Sequence, residues 1–409
     1  MNETLREFFD ALNFEEKEFL PTLQSDNLGL ILRSAINELD WYYYNMTLSE
    51  HPSAEQDEQF YLIRLGVTRL IKMALEARAS FDVPTVMFPR DKSISIPVLE
   101  IVGGLGMIEH GRRVAQSVSA GLCRIEKSGE TEFLIILPSI IVDEEYYERE
   151  VSAHYRSESR KHFDELLNSE QGRELSAEVR ALLTELVHPF ATHYIGYGGD
   201  PLLDDYFYGI AFSEVQLYEG YDSFHYSKRF GGIQFQKYVL ALTYFISIAI
   251  RHARFCEALV AKEPEIRLEN ILTISVETDS FVESIRDAIN KFGAVFEAFE
   301  ETSAAEARQI FDVLSVGRRN TELLARPASA LPLMIQSSDT GFIRCLAAAR
   351  TSPMQFLLDS LRHHFPRDYD THQQSREASL QTAIKRVLNE GFTDLRYHEN
   401  IKLRLDGRT

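Results

Sequence analysis

Few residues in this sequence can cross-link the chain, hold a soft metal or carry it across a bilayer. Only three cysteines occur, Cys123, Cys256 and Cys345, far apart and each beside apolar neighbours. That arrangement argues against a disulfide framework or a thiolate metal site, and for a reducing compartment. No export signal is expected either: Met1-Asn2-Glu3-Thr4-Leu5 carries acid where a leader carries a basic and then an apolar stretch. The Asn45-Met46-Thr47 sequon therefore reads as accidental. The most apolar stretch, Tyr238 to Ile250, is bounded by Lys237 and Arg251. It falls short of the roughly 20 residues that a spanning helix needs, so a buried core helix is expected and membrane association is not. Basic residues are also scarce, 43 Lys and Arg against 62 Asp and Glu, and the net charge of −19 opposes general nucleic-acid binding. A cytoplasmic protein is expected.

What is present is ample material for a core. Hydrophobic residues make up 44% and charged residues 26% of 409 positions, with no long Pro, Ser or Gln tract. The length exceeds one usual hydrophobic core, so two to three domains are expected. The fold class read from the pattern is mainly α: a multi-helix body with a small α+β insertion and a C-terminal helix-strand fragment. An N-terminal helical hairpin is expected over 1–79, with apolar residues on helical spacing from Leu28 to Tyr44 and from Glu55 to Arg78. A small α+β segment follows over 80–142. It holds an extended Phe81 to Pro89, a helix from Ile96 to Gly121, and a hairpin whose β-prone runs flank Lys127-Ser128-Gly129-Glu130.

Helices then dominate a body over 143–326: Asp143 to Leu167, Ser176 to Val187, Pro201 to Tyr218, Gln234 to Val260, Thr278 to Glu300 and Ala304 to Leu314. Pro327 and Pro332 mark a linker. The last unit, 327–409, is read as that linker plus the beginning of an α/β fold. It carries helices over Gly341 to Arg350, Ser352 to His364 and Gln374 to Asn389, and a strand over Tyr397 to Leu405. Residues 341–409 hold 11 Lys and Arg against 8 Asp and Glu, so this segment is about +3 and the preceding 340 residues about −22.

Several clusters carry chemistry-bearing types. Gly103-Gly104-Leu105-Gly106 is rich enough in glycine to cradle a phosphate, but it lacks the lysine and Ser or Thr of a P-loop, and close helix packing is the favoured reading. Glu109, His110, Arg112 and Arg113 could make a ligand-binding or general-base site. Successive helical residues diverge by about 100°, so the four cannot all converge. His188 and His193 ahead of Asp200, Asp204 and Asp205 are metal-ligand types in a spacing that fits no zinc pattern. No Gly-x-Ser-x-Gly marks a nucleophile, and no metal or cofactor is expected. Trp41-Tyr42-Tyr43-Tyr44 would be a partner surface if its rings are exposed.

Two resemblances sharpen the functional reading. The spacings Arg156 to His162 and Arg367 to His372 resemble the arginine-histidine pair of HEPN-type helical ribonucleases, which implies metal-independent RNA cleavage. Ser157 and Asp368 follow the arginines where that family often has Asn.

The segment from Pro327 through Phe342-Ile343-Arg344-Cys345-Leu346, Pro353 to Arg362 and Asp368-Tyr369-Asp370 to Arg376-Glu377 resembles the region preceding a C-terminal PD-(D/E)xK nuclease domain in certain large bacterial proteins. The resemblance covers about the last 80 residues. It implies that Glu377 is the acidic residue of that domain's first helix and Ile401 to Leu405 its first strand. The metal-binding Asp and Glu-x-Lys strands do not follow before Thr409, which implies a truncated form without hydrolytic activity, since such cleavage needs several carboxylates around divalent ions. The expected function is thus a non-catalytic helical binding or regulatory part of a bacterial nuclease-like or defence-related protein. The alternatives are a HEPN-like ribonuclease and a helical scaffold. A protein partner or self-association is expected, with nucleic acid met only through the C-terminal segment.

Overall fold

The computed structural model describes residues 3–48, 53–83, 92–129, 132–136, 161, 165, 168–190, 194–222, 224–297, 299–325, 330–351 and 353–391. The expected helix Asp143 to Leu167 lies almost wholly outside these residues, as does most of the extended Phe81 to Pro89. The terminal strand Tyr397 to Leu405 lies outside them entirely. The described chain is mainly α-helical with short strands.

Five helices open the chain: α1 (Glu3–Lys17), α2 (Leu20–Gln24), α3 (Leu28–Leu48), α4 (Ala54–Ala77) and α5 (Lys92–Ser119). Helix α4 starts on a reciprocal cap. The Ser53 side chain accepts from Gln56 N, and Gln56 returns an acceptor to Ser53 N. Helices α4 and α5 cross backbone to backbone, because a Cβ on Gly66 would sit 1.8 Å from the Val102 carbonyl oxygen and one on Gly106 2.2 Å from that of Leu62. Gly121, at φ 75°, ends the α5 segment in the left-handed conformation that favours glycine. The expected hairpin follows as β1 (Arg124–Lys127) and β2 (Phe133–Ile136), in antiparallel register from Arg124 opposite Ile136 to Lys127 opposite Phe133.

The body is built around one central helix, Phe235–Lys262. Before it come α6 (Glu170–Leu186), the pair β3 (Val187–Phe190) and β4 (Tyr194–Tyr197), α7 (Pro201–Asp222), and the pair β5 (Arg229–Phe230) and β6 (Ile233–Gln234). The last pair turns on Gly231 and Gly232, both at positive φ, as a two-residue hairpin demands. Helix α8 (Phe235–Lys262) is long and apolar enough by composition to cross a membrane, and 72% of its most apolar window is buried within the fold. It is the core helix that its pattern suggests, flanked by α7, α9 (Thr278–Gly293) and α6.

A four-stranded sheet was not legible in the pattern. Its order is β7 (Ser275–Glu277), β10 (Gly341–Arg344), β9 (Met334–Gln336), β8 (Ser315–Val316), antiparallel except for β8 against β9. Helix α10 (Ala304–Leu314) leads into β8, and α11 (Leu346–Thr351), α12 (Pro353–His364) and α13 (Pro366–Gly391) close the described chain. Where a single helix was expected over Gly341 to Arg350, the chain forms β10 and then the short α11. Phe342, Ile343 and Arg344 are all buried, as a strand covered on both faces requires. Pro366 begins α13 rather than interrupting it, since a missing N–H costs nothing in a helix's first turn. Most of the buried apolar side chains form one cluster from Leu23 to Tyr369, into which Leu331 and Leu333 of the expected linker are packed.

Candidate functional site

The residues singled out on α5 separate as helical geometry demands. Arg112 turns toward α1, where its guanidinium grips both carboxylate oxygens of Glu16 at 2.8 Å and reaches Glu109 at 3.2 Å. Arg69 of α4 donates to Glu16 at 2.6 Å. Burial pushes the Glu16 carboxyl up, and the Arg112 and Arg69 hydrogen bonds outweigh it, holding the pKa down to about 2. Arg113 turns instead toward Tyr61 of α4, whose hydroxyl accepts its Nη1 and whose ring edge meets His110, with centroids 6.2 Å apart. Glu109 and Arg112 thus act together, as do His110 and Arg113, each pair one helical turn apart. Both pairs tie α5 to its neighbours.

The acids near His188 are equally committed. Asp200 caps α7 by accepting from Leu202 N at 2.8 Å, Asp204 pairs with Arg251, and Asp205 pairs with Lys291. His188 is exposed on β3 and His193 lies outside the described residues. Among the described residues no three His, Cys, Asp or Glu side chains converge as a metal site. Arg156 and His162 also lie outside the described residues.

Arg367 and His372 are both on α13, five residues and so about 140° apart around the axis. Arg367 is exposed, while the His372 ring packs on Phe230, with centroids 5.2 Å apart, and donates from Nε2 to the Arg229 carbonyl at 3.0 Å. Asp368 accepts from Gly231 N at 2.8 Å, so this face of α13 anchors it to the β5-β6 hairpin. Glu377 sits on α13 beyond that contact. The four aromatics Trp41 to Tyr44 are buried or half-buried: Trp41 stacks on Tyr44, whose hydroxyl donates to Glu257 at 2.8 Å.

The densest collection of reactive side chain types lies along α8 and was not anticipated. Asp40, fully buried in α3, accepts from Thr273 Oγ1 at 2.7 Å, from Ala347 N at 2.9 Å and from the Cys345 thiol at 3.6 Å. Burial raises its pKa to about 6 against the pull of those bonds. His252, one turn before Cys256 on α8, donates from Nε2 to the Ile271 carbonyl at 2.8 Å, which leaves Nδ1 to accept from the Tyr197 hydroxyl at 3.2 Å. Burial, then the nearby Arg344 charge, pushes the imidazole down to about 3. The Cys256 thiol donates to the same carbonyl at 3.2 Å, and burial drives its pKa far above the ordinary thiol range.

A cysteine and a histidine one turn apart here form no nucleophile pair, because the thiol stays protonated and the imidazole neutral. Lys237, at 1% exposure, bonds Glu306 at 2.9 Å and so fastens α8 to the capped start of α10. Arg344 enters from β10 and donates from Nη1 to the Ile248 carbonyl at 3.4 Å. The available sequence signal was a single charge inside an apolar run, as in Phe342-Ile343-Arg344-Cys345-Leu346 or Leu39-Asp40-Trp41. A groove of about 590 Å³ between α9 and α10 is lined by Asp287, Asn290, Glu301 and Thr302 among others. No protein-family description, no curated protein and no solved structure matches this chain.

Proposed function

We propose that this chain is the non-catalytic helical body of a bacterial nuclease-like or defence-related protein, acting in the cytoplasm by binding, regulation or assembly. The observation that carries the non-catalytic part is the fate of its reactive groups. Asp40, His252, Cys256 and Cys345 are sealed in the core and engaged in fixed hydrogen bonds, where neither water nor a substrate reaches them. The association with nucleases rests on the resemblance between Pro327 and Glu377. A protein partner or a second copy is the expected ligand of such a body, and any nucleic-acid contact belongs to its slightly basic C-terminal segment.

Two measurements test this reading. Purified chain, incubated with DNA and RNA in Mg²⁺ or Mn²⁺, should cleave neither; cleavage that disappears on Glu377→Ala would overturn the non-catalytic part. The genomic sequence directly after the Thr409 codon tests the nuclease part. Strands bearing Asp and then Glu-x-Lys support it, and an unrelated gene after a stop codon counts against it.

A further inference from the structure

We propose that Arg344 and Arg251 form a site on the flank of α8, beside Tyr197 and Tyr244, for a phosphate or phosphomonoester anion. The starting point is a cation without a counter-ion. Arg344 is 7% exposed, and its guanidinium donates one long bond, to the Ile248 carbonyl. No carboxylate among the described residues stands within ion-pairing distance of it. A guanidinium carries five N–H donors and stays charged at any physiological pH, so one held nearly buried by a single long bond has donors to spare for an anion.

The neighbours make the location specific. The Ile248 carbonyl places Arg344 beside the next turn of α8, where Arg251 emerges, while Tyr244 lies one turn before Ile248 on the same face. Tyr197 reaches the same turn from β4 through its bond to His252. Burial lowers both arginines. For each, Tyr197 is the strongest opposing influence, and the Arg344 charge lowers Arg251 further. Arg251 is 21% exposed along its side chain and both tyrosines are half-buried, so the cluster opens to solvent on the Arg251 side.

The acids around the cluster indicate how it is held without a ligand. Asp204, in the first turn of α7 and 43% exposed, pairs with Arg251 from the solvent side. Asp40 acts on Arg344 only through its field, since its oxygens are engaged by Thr273, Ala347 and Cys345. Asp204 therefore stands in for the anion and swings outward when one enters. Two guanidinium forks carry donors only, which suits a tetrahedral oxyanion rather than a cation or a neutral sugar. This site is independent of the nuclease association.

Calorimetric titration of the full chain with inorganic phosphate, at ionic strength held constant with NaCl, tests the proposal. Saturable binding is expected. Arg251→Gln should weaken it by about tenfold or more, the loss of one charge-assisted pair. Asp204→Asn should strengthen it by removing the internal competitor. Arg344→Met should abolish it; if that variant does not fold, the Arg251 and Asp204 variants decide alone. Adenosine monophosphate in place of phosphate separates the sources: tighter binding identifies a phosphomonoester, equal binding the free anion. Absence of saturable binding of both probes, or an affinity unchanged by Arg251→Gln, overturns the proposal.

Discussion

Asp40 and His252 titrate against each other inside one core. The folded pKa of His252 lies at about 3 against an ordinary 6.5, so its neutral form stabilises the fold above pH 6.5 and that contribution is lost as the pH falls toward 3. Asp40 has the opposite sign. Its folded pKa of about 6 lies above the ordinary 3.8, so the fold gains stability as the pH falls from 6 to 3.8 and the carboxyl takes up its proton. Between pH 4 and 6 the two slopes, each about 1.4 kcal/mol per pH unit, nearly cancel. Urea unfolding of Asp40→Asn across this window should therefore lose about 1.4 kcal/mol per pH unit more steeply than wild type. Parallel pH profiles for the two proteins would show that these groups do not titrate as argued.

At the scale of elements, the α1-α4-α5 layer rests on one charge cluster and one close crossing. Glu16 is held at about 2 against an ordinary 4.5, so the stability it supplies is present above pH 4.5 and lost as the pH falls through 2. Glu16→Gln should cost about 1–2 kcal/mol at pH 7 in denaturant melts, and that difference should shrink as both proteins are taken below pH 4.5. The crossing makes a sharper contrast between glycines. Gly66→Ala drives a methyl into the Val102 carbonyl and should cost about 3 kcal/mol or more, whereas an added Cβ at Gly103 meets nothing within 4 Å. Gly103→Ala should gain about 1 kcal/mol from helix propensity alone, so the two substitutions should move the melting temperature in opposite directions.

This layer also marks what the sequence made legible. Periodicity located α4, α8 and α10, and the turn residues located the β1-β2 hairpin, because these signals are local. The sheet β7-β10-β9-β8 joins segments from Ser275 to Arg344 through strands of two to four residues, too short to carry a period of their own. The separation of Glu109 and Arg112 from His110 and Arg113 followed from the helical step. The polar cluster on α8 did not, since Asp40, His252 and Arg344 meet only in the fold.

On the scale of the whole molecule, the decisive feature is that most of the buried apolar side chains belong to one cluster running from Leu23 to Tyr369, with α8 against elements from both halves of the chain. Asp40 of α3 bonds Thr273 and Ala347, and Arg33 donates to the Thr273 carbonyl at 3.0 Å, so the N-terminal layer is fastened by polar as well as apolar contacts to the segments that flank the sheet. No such continuity reaches the corner where Leu5 of α1, Ala115 and Ile125 form a separate small cluster capped by Phe8 and Phe133. Two-stranded hairpins are marginal without support, and this one packs in a small cluster on α1 and the last turns of α5. Native-state hydrogen exchange should accordingly find α3, α8 and α10 protected at one shared, highest free energy, with α1 and the β1-β2 hairpin opening together at a lower one. Protection of α3 that fell well short of α8 would mean that the N-terminal layer opens as a unit of its own, and the shared core would then not govern the unfolding of the molecule.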